Sequence, residues 1–164
     1  MDHFQFRVDS HNGFDYYIDT RGYAFSKNQE TGKETRLQFL NKTCLVKIGY
    51  RQKLLDAVIY FTTYGYVKKH KILHLDDNPQ NCKVTNLVNL QKEQITKLNN
   101  TSKAIIVRNN NSGVCKVFTP NELKKHIPQT IYYRYGKAYY KHYSLFLMAY
   151  GILKKNNNRR NDSE

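Results

Sequence analysis

The chain is predicted to have an α+β fold. Three observations support this. Short runs rich in Tyr, Phe, Ile and Val, punctuated by Gly, Asn and Asp, fill the first fifty residues and return after residue 104. Stretches with apolar residues at helical spacing lie between and after these runs. Hydrophobic residues make up 40% of 164 residues, with a mean hydropathy of -0.75. That composition supports a modest core, in one ordinary domain or two small ones.

The elements follow in order. FDYYID and YAFSK read as strands flanking Thr20-Arg21-Gly22, a turn in which Gly22 can take positive φ. LQFL and CLVKIGY read as further strands around Asn41-Lys42-Thr43. Lys53 to Tyr64 reads as a helix, because Leu54, Leu55, Val58, Ile59 and Phe61 fall largely on one face. KILH and LVNL read as strands on either side of a polar loop, and Gln91 to Asn99 as a helix. Asn99 to Ser102 reads as a linker. AIIVR and VCKVF form a hairpin across a five-residue loop ending in Gly113. Thr119-Pro120 is a helix start, with Thr as N-cap and Pro in the first helical position. TIYYRY is expected to begin a second short helix, YYKHYSLFLMAY fits strand or helix, and KKNNNRRNDSE is a polar tail. The expected domains are residues 1–98 and 99–150, with a basic tail over 151–164.

Charge is unevenly placed. The formal net charge is +14, yet Gln94 to Asn161 holds thirteen Lys or Arg against the single acid Glu122, so this window carries +12. It also holds seven of the fourteen Tyr residues. Cations interleaved with aromatics point to a nucleic-acid partner. A solvated basic surface is the plainer alternative. No apolar run reaches 18 residues and no long basic amphipathic helix is present, so a membrane partner is not expected. No small-molecule substrate is indicated.

Cys44, Cys82 and Cys115 are widely separated and include no CxxC pair. They predict neither structural zinc nor a disulfide framework, only small buried thiols. The N-terminus lacks a basic region followed by an apolar one, so an intracellular, reducing location is expected.

The stretch ILHLDDNPQNCKVTNLVNL, Ile72 to Leu90, places His74 at the end of an apolar run and Asn86 twelve residues later, before a second run. This layout resembles the HNH nuclease motif. Two further pieces resemble the same architecture. YYIDTRGYAFSKNQETGK is similar to an N-terminal Y-x-I-S-x-x-G-x-V-x-S element, through Tyr17, Ile18, Gly22 and Ser26. KAIIVRNNNSGVCKVFTPNELKKHIPQTIYYRYGK is similar to a C-terminal helix-turn-helix module. In family order, the three resemble phage intron-encoded HNH homing endonucleases across most of residues 14 to 148.

The resemblance implies an HNH ββα-metal finger with a β-rich N-terminal element, then a hairpin and a helix-turn-helix. It implies His74 as general base and Asn86 as loop brace. It implies Lys103, Lys124, Lys125, Gln129, Thr130, Tyr132, Tyr133, Arg134, Lys137 and Lys141 as DNA contacts, duplex DNA as partner, and the cytoplasm of a phage or mobile-element host as location. Phosphodiester hydrolysis of this kind needs an oriented neutral His and a hard divalent cation on oxygen ligands. The two oxygen-ligand positions of the family fall on Leu73 and Ile95, which cannot coordinate a cation. The His that heads the preceding helix in the family has no match in KLLDAV. A shifted alignment would recruit Gln94, Thr96 or Asn99, or bring Asp76 or Asp77 in from the loop, although the two Asp residues also suit a turn. His74 could equally be a strand-end histidine with a structural hydrogen bond, and Lys124 and Lys125 the solvated face of their helix. His3, His11, His70, His126 and His142 lack metal-spaced partners.

The resulting expectation is a duplex-DNA-binding protein with weak or no cleavage and no metal. Its rivals are an active nickase using Mg²⁺ or Mn²⁺ and a structural or virion-associated protein reusing the fold.

Overall fold

A computed structural model describes residues 4–65, 71–101, 104–126, 132–134, 137–140 and 143–147; for the last three segments it describes the backbone only. The chain is α+β, with two compact units. The first comprises residues 1–67 and 78–87, the second 68–77 and 88–164. The boundary expected at residues 98 and 99 falls inside the second unit.

The first unit opens with four antiparallel strands in sequential order, β1 Gln5–His11, β2 Phe14–Asp19, β3 Tyr23–Asn28 and β4 Glu34–Arg36. Alternation governs this sheet. Ile18, Ala24 and Ser26 are buried on one face, while Tyr17, Tyr23 and Phe25 are only partly covered on the other. Gly22 turns the chain between β2 and β3 at φ 92. LQFL is not the expected strand. Pairing with β3 uses Glu34–Arg36 instead, and from LQFL only Leu40 makes a bridge, to Leu45. β5 Leu45–Ile48 and β6 Arg51–Leu54 form a hairpin around Gly49. The helix α1 therefore begins at Leu55, two residues later than expected, and runs to Tyr64. Leu55, Ile59 and Tyr60 are its buried side.

The second unit contains β7 Lys71–His74, β8 Leu87–Leu90 (Leu87 itself belongs to the first unit) and α2 Lys92–Asn99, with β7 paired to β8. This is the expected β–β–α order. β9 Ile105–Asn109 and β10 Cys115–Phe118 form the expected hairpin, and α3 spans Pro120–His126. Thr119 and Glu122 cap α3 reciprocally. The Glu122 N–H donates to Thr119 Oγ1 at 3.2 Å, and the Thr119 N–H to a Glu122 carboxylate oxygen at 2.8 Å.

The second helix expected in TIYYRY is not found among the described residues of that stretch, which are extended. β11 Tyr132–Arg134, β12 Lys137–Tyr140 and β13 Tyr143–Leu147 are strands, and a five-stranded sheet runs β10-β9-β13-β12-β11. Aromatic side chains prefer a pleated surface, and β9 offers a free edge for β13 to extend. These gains outweigh a short helix that would have to nucleate on its own. The tail over 151–164 lies outside the described residues.

Candidate functional site

The strand β7 buries Ile72, Leu73 and His74. Leu73, 3% exposed, packs in one apolar cluster with Val88, Leu90, Leu98, Ala104, Ile106, Cys115 and Val117, and Ile95 is packed against it. Successive strand side chains face opposite ways, so His74 turns away from that cluster. Its carbonyl accepts the Asp77 N–H at 3.2 Å, and Asp77 itself takes a positive φ of 61. Asp77 is therefore part of a tight turn.

The two positions at which the resemblance led us to expect oxygen ligands offer none. Leu73 and Ile95 present hydrocarbon, and both are used in packing. The neighbours on α2 have other commitments. Gln94 Oε1 accepts the Val117 N–H at 2.6 Å, and Thr96 Oγ1 donates to the Lys92 carbonyl at 3.1 Å. Gln94 and Thr96 are thus each tied to a backbone partner.

Asn86 belongs to the first unit and ends a short 3-10 turn, Val84–Asn86. Its Nδ2 donates to the Asn81 carbonyl at 2.9 Å, closing the loop across five residues. The loop is tied to the rest of its unit at two further points. The Val84 N–H donates to the Thr20 carbonyl at 3.0 Å, and Gln80 Nε2 to the Asn41 carbonyl at 3.3 Å. Gly22 makes the first contact possible. A Cβ there would lie 2.7 Å from the Lys83 backbone nitrogen and 2.8 Å from the Cys82 carbonyl carbon.

The residues expected to touch DNA separate into three groups. Lys125 is exposed on α3, whose backbone also carries Lys124. Tyr132, Tyr133, Arg134 and Lys137 lie on β11 and β12, in a sheet where a recognition helix was expected. Lys103, Gln129, Thr130 and Lys141 lie outside the described residues, as do His3, His70 and His142.

The basic window has only one acid, and the fold neutralises it. Lys97 Nζ sits 2.8 Å from Glu122 Oε2, and that pairing, with the Thr119 N–H second, brings the Glu122 carboxyl down to about 2. Arg108, by contrast, is 1% exposed and cannot reach a large polyanion.

The sequence reading missed a row of side chains across the first sheet. Arg7 pairs with Tyr17, Tyr17 with Phe25, and Phe25 with Arg36, in register over four strands. The Tyr17 and Phe25 rings stack at 5.3 Å with planes 10° apart. Beside them the Arg36 guanidinium lies 3.9 Å from the Tyr23 ring centre, and the Arg21 guanidinium lies 5.9 Å from the same ring. Arg21 is also held by both Asp19 oxygens through its backbone and side chain. The alternation in FDYYID and YAFSK contained the signal for this face. The pairing partners Arg7 and Arg36 could not be assigned without the register.

No protein-family model matches the chain, and no curated protein sequence matches it. A solved structure described as "DNA binding and cleavage by the HNH homing endonuclease I-HmuI" aligns over 80% of this chain and 91% of its own, at 19% identity and a TM-score of 0.35. Likeness at that level assigns no residue a role. No helix among the described residues is long and apolar enough to cross a membrane.

Proposed function

We propose that the protein binds duplex DNA through non-specific phosphate contacts and cuts it weakly or not at all. The charge excess carries the reading: +12 concentrated between residues 94 and 161, where the one acid is spent on Lys97. A cation excess of this size seeks a polyanion, and duplex DNA carries one negative charge per about 1.7 Å of its axis. The Arg7–Tyr17–Phe25–Arg36 row supplies a second surface. The packing of Leu73 and Ile95 supports absence of a catalytic cation at those positions.

Fluorescence anisotropy with a labelled duplex tests binding. The log–log salt dependence should have a slope of about −0.9 per phosphate neutralised. Replacing Lys124, Lys125 and Arg134 together with Ala should flatten it. A slope near zero for the wild type would remove DNA as the partner. Plasmid nicking in Mg²⁺ or Mn²⁺ tests the second half. Robust cutting that is lost in His74→Ala would establish the nickase instead.

A further inference from the structure

The first sheet carries aromatic rings where an antiparallel sheet ordinarily carries polar side chains. One face of such a sheet packs on the core and the other meets water, so apolar and polar residues alternate along each strand. Ile18, Ala24 and Ser26 follow that rule on the inner face. The outer face departs from it. Tyr17 on β2, and Tyr23 and Phe25 on β3, are all half-buried there and so keep part of each ring in solvent. Tyr17 and Phe25 are register partners, and their rings stack at 5.3 Å, 10° from parallel.

Cations frame the rings. Arg7 and Arg36 stand at the two ends of the row, opposite Tyr17 and Phe25. Two guanidiniums are held in place before any ligand arrives. Arg36 lies 3.9 Å from the centre of the Tyr23 ring. Arg21 is clasped by Asp19, itself 1% exposed, through Nε at 2.8 Å and the Arg21 backbone N–H at 2.7 Å. Fixing a flexible side chain in advance lowers the entropy lost on binding. The charge of this face is nevertheless partly spent. Arg7 faces Asp15 at 3.7 Å, and Lys27 faces Glu34 at 3.7 Å. Arg36 is in no ion pair among the described residues.

A face with several rings and little spare charge separates two forms of nucleic acid. A duplex offers phosphates, but its bases are already stacked on one another. A single strand offers phosphates and open base faces, and every base can stack on an aromatic ring whatever the sequence. We infer that the outer face of the first sheet binds single-stranded nucleic acid. Unpaired bases stack on Tyr17 and Phe25, and Arg21 and Arg36 meet the phosphates. The inference goes beyond the duplex reading, which asks only for the cations of this row, and it makes no use of the basic window between residues 94 and 161.

The test uses the full chain and fluorescence anisotropy, with short labelled oligo-dT and oligo-U strands and a duplex of the same length. At high salt both phosphate contributions fade while stacking persists, so a strand should bind more tightly than the duplex. The tighter of the two strands identifies DNA or RNA as the source. Tyr17→Leu combined with Phe25→Leu keeps apolar bulk and removes the ring faces. It should weaken strand binding at least about 5-fold, the lower bound for one stacked base, and leave the duplex salt slope unchanged. Phe14→Leu, on the opposite side of β2, should alter neither. Because the double variant can fail to fold, photocrosslinking of the wild type to an iodouracil-substituted strand gives a second reading, with adducts expected on Tyr17, Tyr23 or Phe25. Strand binding no tighter than duplex binding at high salt, undiminished strand affinity in a folded double variant, or adducts confined to residues outside the first sheet would each overturn the inference. A flat salt slope for the duplex would remove the duplex reading alone, so the two proposals fail separately.

Discussion

Replacing Gly22 with alanine should destabilise the first unit by about 2–5 kcal/mol, the sum of two separable costs. The first is conformational. Gly22 has φ 92, and a side chain in the left-handed region costs about 1–2 kcal/mol. The second is steric. The new Cβ would sit 2.7 Å from the Lys83 nitrogen and 2.8 Å from the Cys82 carbonyl carbon. Both are backbone atoms, so no rotamer change relieves the overlap. The loop must move, straining the bond from Val84 N–H to Thr20, and overpacking of this sort costs about 1–3 kcal/mol. Gly13 provides the control. It has φ 75, and a Cβ added there would have nothing within 4 Å, so Gly13→Ala should show only the first cost. Urea unfolding followed by circular dichroism and tyrosine fluorescence gives both values. The difference between the two variants, about 1–3 kcal/mol, measures the close approach of the loop to the turn. Equal losses in the two variants would refute the packing argument, even if both were large.

Leu73→Ala should cost about 2–5 kcal/mol in the second unit, and Ile95→Ala less, because Leu73 is fully in the apolar cluster and Ile95 only packed against it. Denaturant midpoints test this ranking, and a harmless Leu73→Ala would show that the position is free for another role. Leu73→Asp should be worse than Leu73→Ala, since it buries a carboxylate in hydrocarbon. A gain in stability on adding Mg²⁺ to that variant would contradict the poor fit for a hard cation. Glu122 has its folded pKa lowered from 4.5 to about 2. Its contribution to stability is therefore present above the unfolded value and lost as pH falls from 4.5 toward 2. The melting-temperature gap between wild type and Glu122→Gln should close over that window, and a pH-independent gap would disprove the linkage to Lys97 and the Thr119 cap.

Local pattern was enough for part of the fold. Alternation set β2 and β3, glycine marked the turn at Gly22, and helical spacing with a Thr–Pro start set α3. The β–β–α order around His74 was legible for the same reason, since each piece needs only its own residues and flanking turns. Whatever depended on partners distant in the chain emerged only on folding. Tyr132–Arg134, inside TIYYRY, became a strand because a sheet edge was available to it, which no local preference records. β6 replaced the first residues expected in α1 because β5 was there to pair with it. Arg7 and Arg36 reached one face only through the register of four strands. The docking of the loop closed by Asn86 against Thr20 and Gly22 likewise depends on partners about sixty residues away, which no local pattern records.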